Sequence, residues 1–101
     1  VIGDMLELGS VSESAHYGVG VKAAENGIDV LFTYGERSFE AARGARENGV
    51  ETVESFTDKK ELSSRLSEML EADDAVLFKA SRGMKLEEVI FAVYENLDKN
   101  N

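Results

Sequence analysis

The sequence predicts an α/β domain of the Rossmann-like, three-layer kind: a mostly parallel sheet of about four strands with helices on both faces. Three observations predict it. Four short runs rich in Val, Ile, Leu, Phe and Thr alternate with segments of helical periodicity, in the order βαβαβαβα. Asn26-Gly27 and Asn48-Gly49 follow the first two helical segments, the usual way for a helix to end. The 101 residues, 43% of them hydrophobic, carry one modest core, and no linker, repeat or low-complexity tract divides them. Strict alternation implies parallel strands joined by right-handed crossovers. The simplest strand order is 3-2-1-4, which reverses the chain between strands 1 and 4. Open α/β sheets bind ligands at such a reversal, outside the carboxyl ends of the strands.

Each element has its own reason. Val1-Ile2 is a stub of strand ended by Gly3, as in a domain cut from a longer protein, and Asp4–Gly9 is a loop. A helix starts near Ser10 or Ser12, either of which can cap it, and runs to Asn26-Gly27. Asp29–Tyr34 is rich in strand formers, and Gly35 turns the chain into a helix over Ser38–Asn48. Thr52–Phe56 is a weaker strand. Thr57 can cap the next helix, which carries Leu62, Leu66, Met69 and Leu70 on one face. Asp73-Asp74 turn the chain into Ala75–Phe78, which reads as a buried strand. The last helix presents Leu86, Val89, Ile90, Val93 and Leu97 on one face, and a polar tail follows from Asp98.

Composition excludes several functions. A net charge of −9 argues against nucleic acid or an anionic membrane as partner. Without cysteine there is no disulfide and no thiolate metal site, and a reducing cytoplasm fits. No apolar run is long enough to cross a bilayer, and no secretory signal pattern is present. Two apparent nucleotide motifs fail on context. Gly18–Ala23 matches the dinucleotide fingerprint, but it lies inside a helix rather than in the turn after a strand, so Gly18 and Gly20 are expected to serve close helix–sheet packing. Gly44–Gly49 matches the start of a P-loop, yet Val50-Glu51 stand where Lys and Ser or Thr are required.

The candidate site is the pair of loops meeting at the reversal. Lys79, Arg82 and Lys85 crowd the expected start of the last helix, the end that ordinarily attracts acids. Ser81-Arg82-Gly83 at a strand-to-helix junction makes an anion site. Outward N–H groups and the Arg82 fork suit carboxylate or phosphate, Lys79 adds a point charge, and Gly83 permits a left-handed or close-approach backbone. The plainer alternative is that Arg82 and Lys85 neutralise acids such as Glu87 and Glu88. Opposite lie Asp4, Met5 and Glu7. The two carboxylates suit acid–base chemistry or Mg²⁺, or else Asp4 pairs with Arg82 or Lys79 and Glu7 is simply solvated. His16, the single histidine, cannot build a His-rich metal site, and it either packs as a structural residue or supports the cleft from behind the loop.

Gly3–Gly9 (GDMLELG), His16, Gly27–Gly35 (GIDVLFTYG) and Lys79–Val89 (KASRGMKLEEV) occur in an order and spacing that resembles the C-terminal domain of the MurF-type Mur ligases. The resemblance covers nearly the whole chain. Ala80 stands where the family usually has glycine in K-G-S-R-G-M. It implies a bacterial cytoplasmic enzyme of three domains that uses ATP and Mg²⁺ to activate UDP-N-acetylmuramoyl-tripeptide as an acyl phosphate. The amine of D-alanyl-D-alanine then attacks. The P-loop and most metal ligands would lie in the central domain. This domain would close over it, with no cofactor held tightly by the fragment and no activity of its own. The anion at Lys79, Ser81, Arg82 and Gly83 would be the dipeptide carboxylate or phosphate oxygens. From the residues alone two other readings stay open: a stand-alone small-anion-binding module, and a non-catalytic interaction domain that would not need Lys79 and Arg82.

Overall fold

The structure, a computed structural model, describes residues 1–6 and 8–99. Three parallel strands, β1 (Ile2–Gly3), β2 (Val30–Tyr34) and β3 (Thr52–Phe56), form one sheet in the order β1-β2-β3. Four helices connect and flank them: α1 (Ser12–Glu25), α2 (Phe39–Glu47), α3 (Lys59–Met69) and α4 (Glu87–Lys99). The register sets Gly3 beside Tyr34 and Tyr34 beside Phe56, so all three strands end at one edge of the sheet.

The expected fourth strand is present only in part. Residues 75–78 form no ladder, and a single parallel bridge joins Ile2 to Lys79. Lys79 N–H donates to the carbonyl of Val1 at 2.9 Å, and Gly3 N–H donates to that of Lys79 at 2.8 Å. Val76 is 38% exposed, so the run lacks the two covered faces that would bury it as a strand. Leu77, 69% exposed, also shows that this run is an open edge rather than a strand buried on both faces. The spatial order 3-2-1-4 nonetheless holds, with residues 77–79 in the fourth place.

Side-chain alternation along the strands separates two cores. Phe32, with partly buried Val1, Tyr34 and Phe56, faces Leu62, Leu66, Leu86, Val89 and Val93 of the α3–α4 layer. Leu31, with Ile2 and Val53, faces Ala24, Ala45 and Val50 on the α1–α2 side. Helices therefore cover both faces, as the alternating pattern requires. Phe32 and Phe56 meet edge to face, their ring centroids 5.4 Å apart.

Several local expectations are corrected. Neither Ser10 nor Ser12 caps α1, because a 3₁₀ turn over Gly9–Val11 runs straight into the helix and leaves no extended cap residue. Asp58 rather than Thr57 caps α3, accepting from the N–H groups of Lys60 and Glu61. Gly20 serves helix–helix rather than helix–sheet packing: a Cβ there would strike the backbone of Ala41 and Ala45 in α2, whereas Gly18 faces open space. Gly44 meets the backbone of Tyr17 in the same crossing. Asp98 and Lys99 belong to α4 rather than to a tail, and residues 100–101 lie outside the described part.

Candidate functional site

β1 and the edge segment 77–79 run side by side and deliver two loops to the same place, the carboxyl end of the sheet. The loops are bonded to each other. Ser81 N–H donates to the carbonyl of Asp4 at 3.2 Å, and Leu6 N–H donates to Ser81 Oγ at 2.8 Å. Gly3 is buried against Ala80: a Cβ on Gly3 would come within 2.7 Å of the Ala80 methyl. The extra methyl at position 80 is thus absorbed by the absence of one at position 3. Gly83 lies close to Leu6 in the same way, since a Cβ there would stand 2.9 Å from Leu6 Cδ1. Its contribution is close approach. The left-handed residue of this turn is Lys85, with φ 52°, a conformation that costs a non-glycine residue about 1–2 kcal/mol.

Lys79 and Arg82 do not sit on the end of α4, whereas Lys85 stands just before it, its carbonyl accepting from Glu88 N–H at 3.0 Å. Arg82–Met84 form a separate 3₁₀ turn, and α4 starts at Glu87 with Glu87 and Glu88 in its first turn. The acids therefore occupy the helix end that favours them, while Arg82 opens the preceding turn and Lys79 ends the edge segment, both outside the helix. Both are exposed, and neither makes an ion pair with any described residue. The neutralising role considered for Lys85 is real: its charge adds to the pull that holds the Glu88 carboxyl below its ordinary range. The larger cause is the hydrogen bond and charge of Lys59.

Asp4 is not paired with Arg82 or Lys79. It is 5% exposed and turned to the start of α2, where Oδ1 accepts from the N–H and the hydroxyl of Ser38, both at 2.7 Å, and Oδ2 accepts from Arg37 N–H at 3.3 Å. Gly35, at φ 104°, makes room: a Cβ there would lie 2.5 Å from the Asp4 carboxylate. A carboxylate at a helix N-terminus is favourably placed, so Asp4 acts as a remote cap linking β1 to α2. The sequence places Gly35 at the turn and Ser38 at the helix start, but not their contact with Asp4. The available signal was a Gly and a Ser flanking a helix start without a side-chain cap of their own. Glu7 lies outside the described residues. Met5 is half-buried, its N–H 2.9 Å from His16 Nε2, and His16 is fully buried behind the loop. Among the described residues no three His, Asp or Glu side chains are grouped to hold a metal ion. With Asp4 committed to Ser38, the described residues of these loops do not fit a Mg²⁺ site.

What the arrangement can do is present a hydrogen-bonded segment with two exposed cations, Lys79 and Arg82, at the reversal point of an open α/β sheet. That suits binding of an anion, and no general base faces it among the described side chains. No helix of the described residues is long and apolar enough to cross a membrane.

Comparison with known proteins identifies the family. The family profile described as Mur ligase, glutamate ligase domain, matches residues 1–82. The chain is 41% identical over 97 residues to the UDP-N-acetylmuramoyl-tripeptide–D-alanyl-D-alanine ligase of Bacillus subtilis (strain 168), covering 95% of this chain and 21% of that protein. It is 38% identical over 100 residues to the ligase of the same name from Escherichia coli (strain K12), again 95% of this chain and 21% of that protein. The corresponding protein of Synechocystis is 39% identical over 90 residues, 89% of this chain and 20% of that protein. No solved structure matches. The chain thus spans about a fifth of the length of these relatives. A profile match over residues 1–82, together with the α/β fold, establishes that the chain belongs to the Mur ligase family, as its glutamate ligase domain.

Proposed function

We propose that this domain works as the C-terminal part of an ATP-dependent ligase that joins D-alanyl-D-alanine to UDP-N-acetylmuramoyl-tripeptide in bacterial peptidoglycan synthesis. In that role it closes over a central domain of its own chain that binds ATP and Mg²⁺, in the cytoplasm. Relatives bearing that activity in their names support the reading, since each aligns with nearly all of this chain. The observation that carries the site is the turn at Lys79–Gly83. It is bonded to the Asp4–Gly9 loop through Ser81, and it leaves Arg82 and Lys79 exposed and without an ion pair to any described residue. In closure these cations neutralise an anion of the bound substrates, and Arg82 provides two parallel donors to it.

The test is Arg82→Ala in the full-length enzyme, with ATP, the tripeptide precursor and the dipeptide varied in turn. Loss of a charge-assisted contact costs roughly 1.5–3 kcal/mol, about 10- to 150-fold in kcat/KM. Folding stability should change by no more than about 0.5 kcal/mol, because the side chain is exposed. A loss confined to the dipeptide assigns Arg82 to the dipeptide carboxylate, and one confined to ATP assigns it to phosphate. Unchanged kinetics would remove Arg82 from the site. The isolated domain is expected to turn over no ATP with both substrates present, and turnover by it alone would contradict the proposal.

A further inference from the structure

His16 is fully buried on α1, and both of its ring nitrogens have partners, Nδ1 within the helix at Ser12 and Nε2 outside it at Met5. Nδ1 lies 2.6 Å from the carbonyl oxygen of Ser12, which can only accept, so Nδ1 carries the proton. Ser12 Oγ stands 3.2 Å from the same nitrogen. Nε2 is then the bare nitrogen, and it accepts the N–H of Met5 at 2.9 Å. The next amide along, Leu6 N–H, points the other way, to Ser81 Oγ at 2.8 Å. Ser81 N–H returns to the carbonyl of Asp4. Residues 4–6 are thus clamped between α1 on one side and the Arg82 turn on the other.

We propose that His16 is a positioning residue for the anion site: its Nε2 fixes the Met5 amide, which aims the Leu6 amide at Ser81 and so sets the turn that carries Arg82. The inference rests on the ligase reading above. The neutral, Nδ1-protonated ring is the form this chain of bonds needs, and an apolar side chain of similar size would fill the space but leave the Met5 N–H unpaired. The exposed Arg82 side chain has no ion pair with a described residue to hold it, so its placement follows from the backbone of its turn. Misplacing a binding group by about an ångström is enough to cost up to about 100-fold in rate.

The experiment uses the full-length enzyme with His16→Leu, His16→Gln and Ser81→Ala, each alone and combined with Arg82→Ala. Ligation kinetics, melting temperature and amide hydrogen exchange are measured on the same proteins. Gln can offer its side-chain oxygen near the position of Nε2. His16→Leu is expected to lower kcat/KM about 10- to 100-fold, His16→Gln to recover most of that, and Ser81→Ala to reproduce the defect with His16 intact. In the Arg82→Ala background the further loss from His16→Leu should nearly vanish, because the two residues act as one unit. Exchange at Met5 and Leu6 should quicken in His16→Leu and stay protected in His16→Gln. Losses that add across backgrounds, or a silent Arg82→Ala, would overturn the inference, as would a fall in melting temperature with Met5 and Leu6 still protected. If the unaltered enzyme ligates no D-alanyl-D-alanine, the proposed function fails on its own. The exchange arm then decides: quickened exchange at both amides upholds the positioning, and unchanged exchange at Leu6 refutes it.

Discussion

Asp4 shows how much one buried carboxylate can organise. It follows β1 directly, and its side chain leaves the site to accept three hydrogen bonds from Arg37 and Ser38. Its own carbonyl stays with Ser81. Backbone and side chain therefore serve opposite neighbours, and removing the carboxylate attacks the fold before it attacks the loop. Asp4→Ala should destabilise the domain by about 2–4 kcal/mol, since Ser38 N–H and Oγ are left buried without their acceptor. Asp4→Asn, which keeps an oxygen for Ser38, should cost less. Denaturant unfolding of both variants checks this, and equal losses would mean that the charge, not the acceptor, is what α2 requires. The reach of Asp4 toward Ser38 was not legible in the sequence, because nothing local links positions 34 residues apart. The charged turn itself was legible, since Lys79 and Arg82 break the acidic character of the chain within four residues of each other.

At the scale of elements, α3 and α4 are joined by a hydrophobic seam and by the ion pair of Lys59 with Glu88, with Lys59 also 5.8 Å from the centre of the Tyr34 ring. Glu88 is held below the ordinary glutamate range by its hydrogen bond to Lys59, then by the charge of Lys59, with Lys85 adding a smaller pull. A carboxyl lowered in the folded state stabilises the fold above its unfolded pKa, about 4.3, and loses that contribution as pH falls through the folded value. The domain should therefore lose a small increment of melting temperature on acidification below about pH 4.3 that Glu88→Gln does not lose. Identical acid profiles for the two proteins would show the pair to be idle, as many exposed pairs are. The elements themselves were largely readable. Thr52–Phe56 came out as expected because alternating strand formers sit between two clear helix ends. Asp58 was missed beside Thr57 because both can cap, and only the backbone decides which residue is extended at that point. Ala75–Phe78 looked like a buried strand because hydrophobicity does not report whether anything covers a residue, and Val76 and Leu77 are exposed.

For the molecule as a whole, the sheet keeps two cores apart and gathers both loops of the site at one edge. The bridge between Ile2 and Lys79 also has a kinetic meaning. The contact of Val1 with Leu77 spans 76 positions of chain, whereas Thr33 meets Ser55 across 22. Closing the longer loop costs about 1 kcal/mol more in chain entropy, and only two short segments meet when it closes. The β2–β3 pairing, with five residue pairs in register, gains more for a smaller closure cost. Refolding should then order the β2–β3 half first and dock residues 77–79 last, so the turn proposed to bind an anion is the latest part of the domain to form. Pulsed hydrogen exchange during refolding tests the order, with the Gly35 amide, bonded to Phe56, gaining protection before those of Gly3 and Lys79. Simultaneous protection would mean a single cooperative step. In the expected order, a nascent or heat-stressed chain passes through a state that is mostly folded yet lacks the turn proposed to bind, so the proposed activity should fail before the structure does.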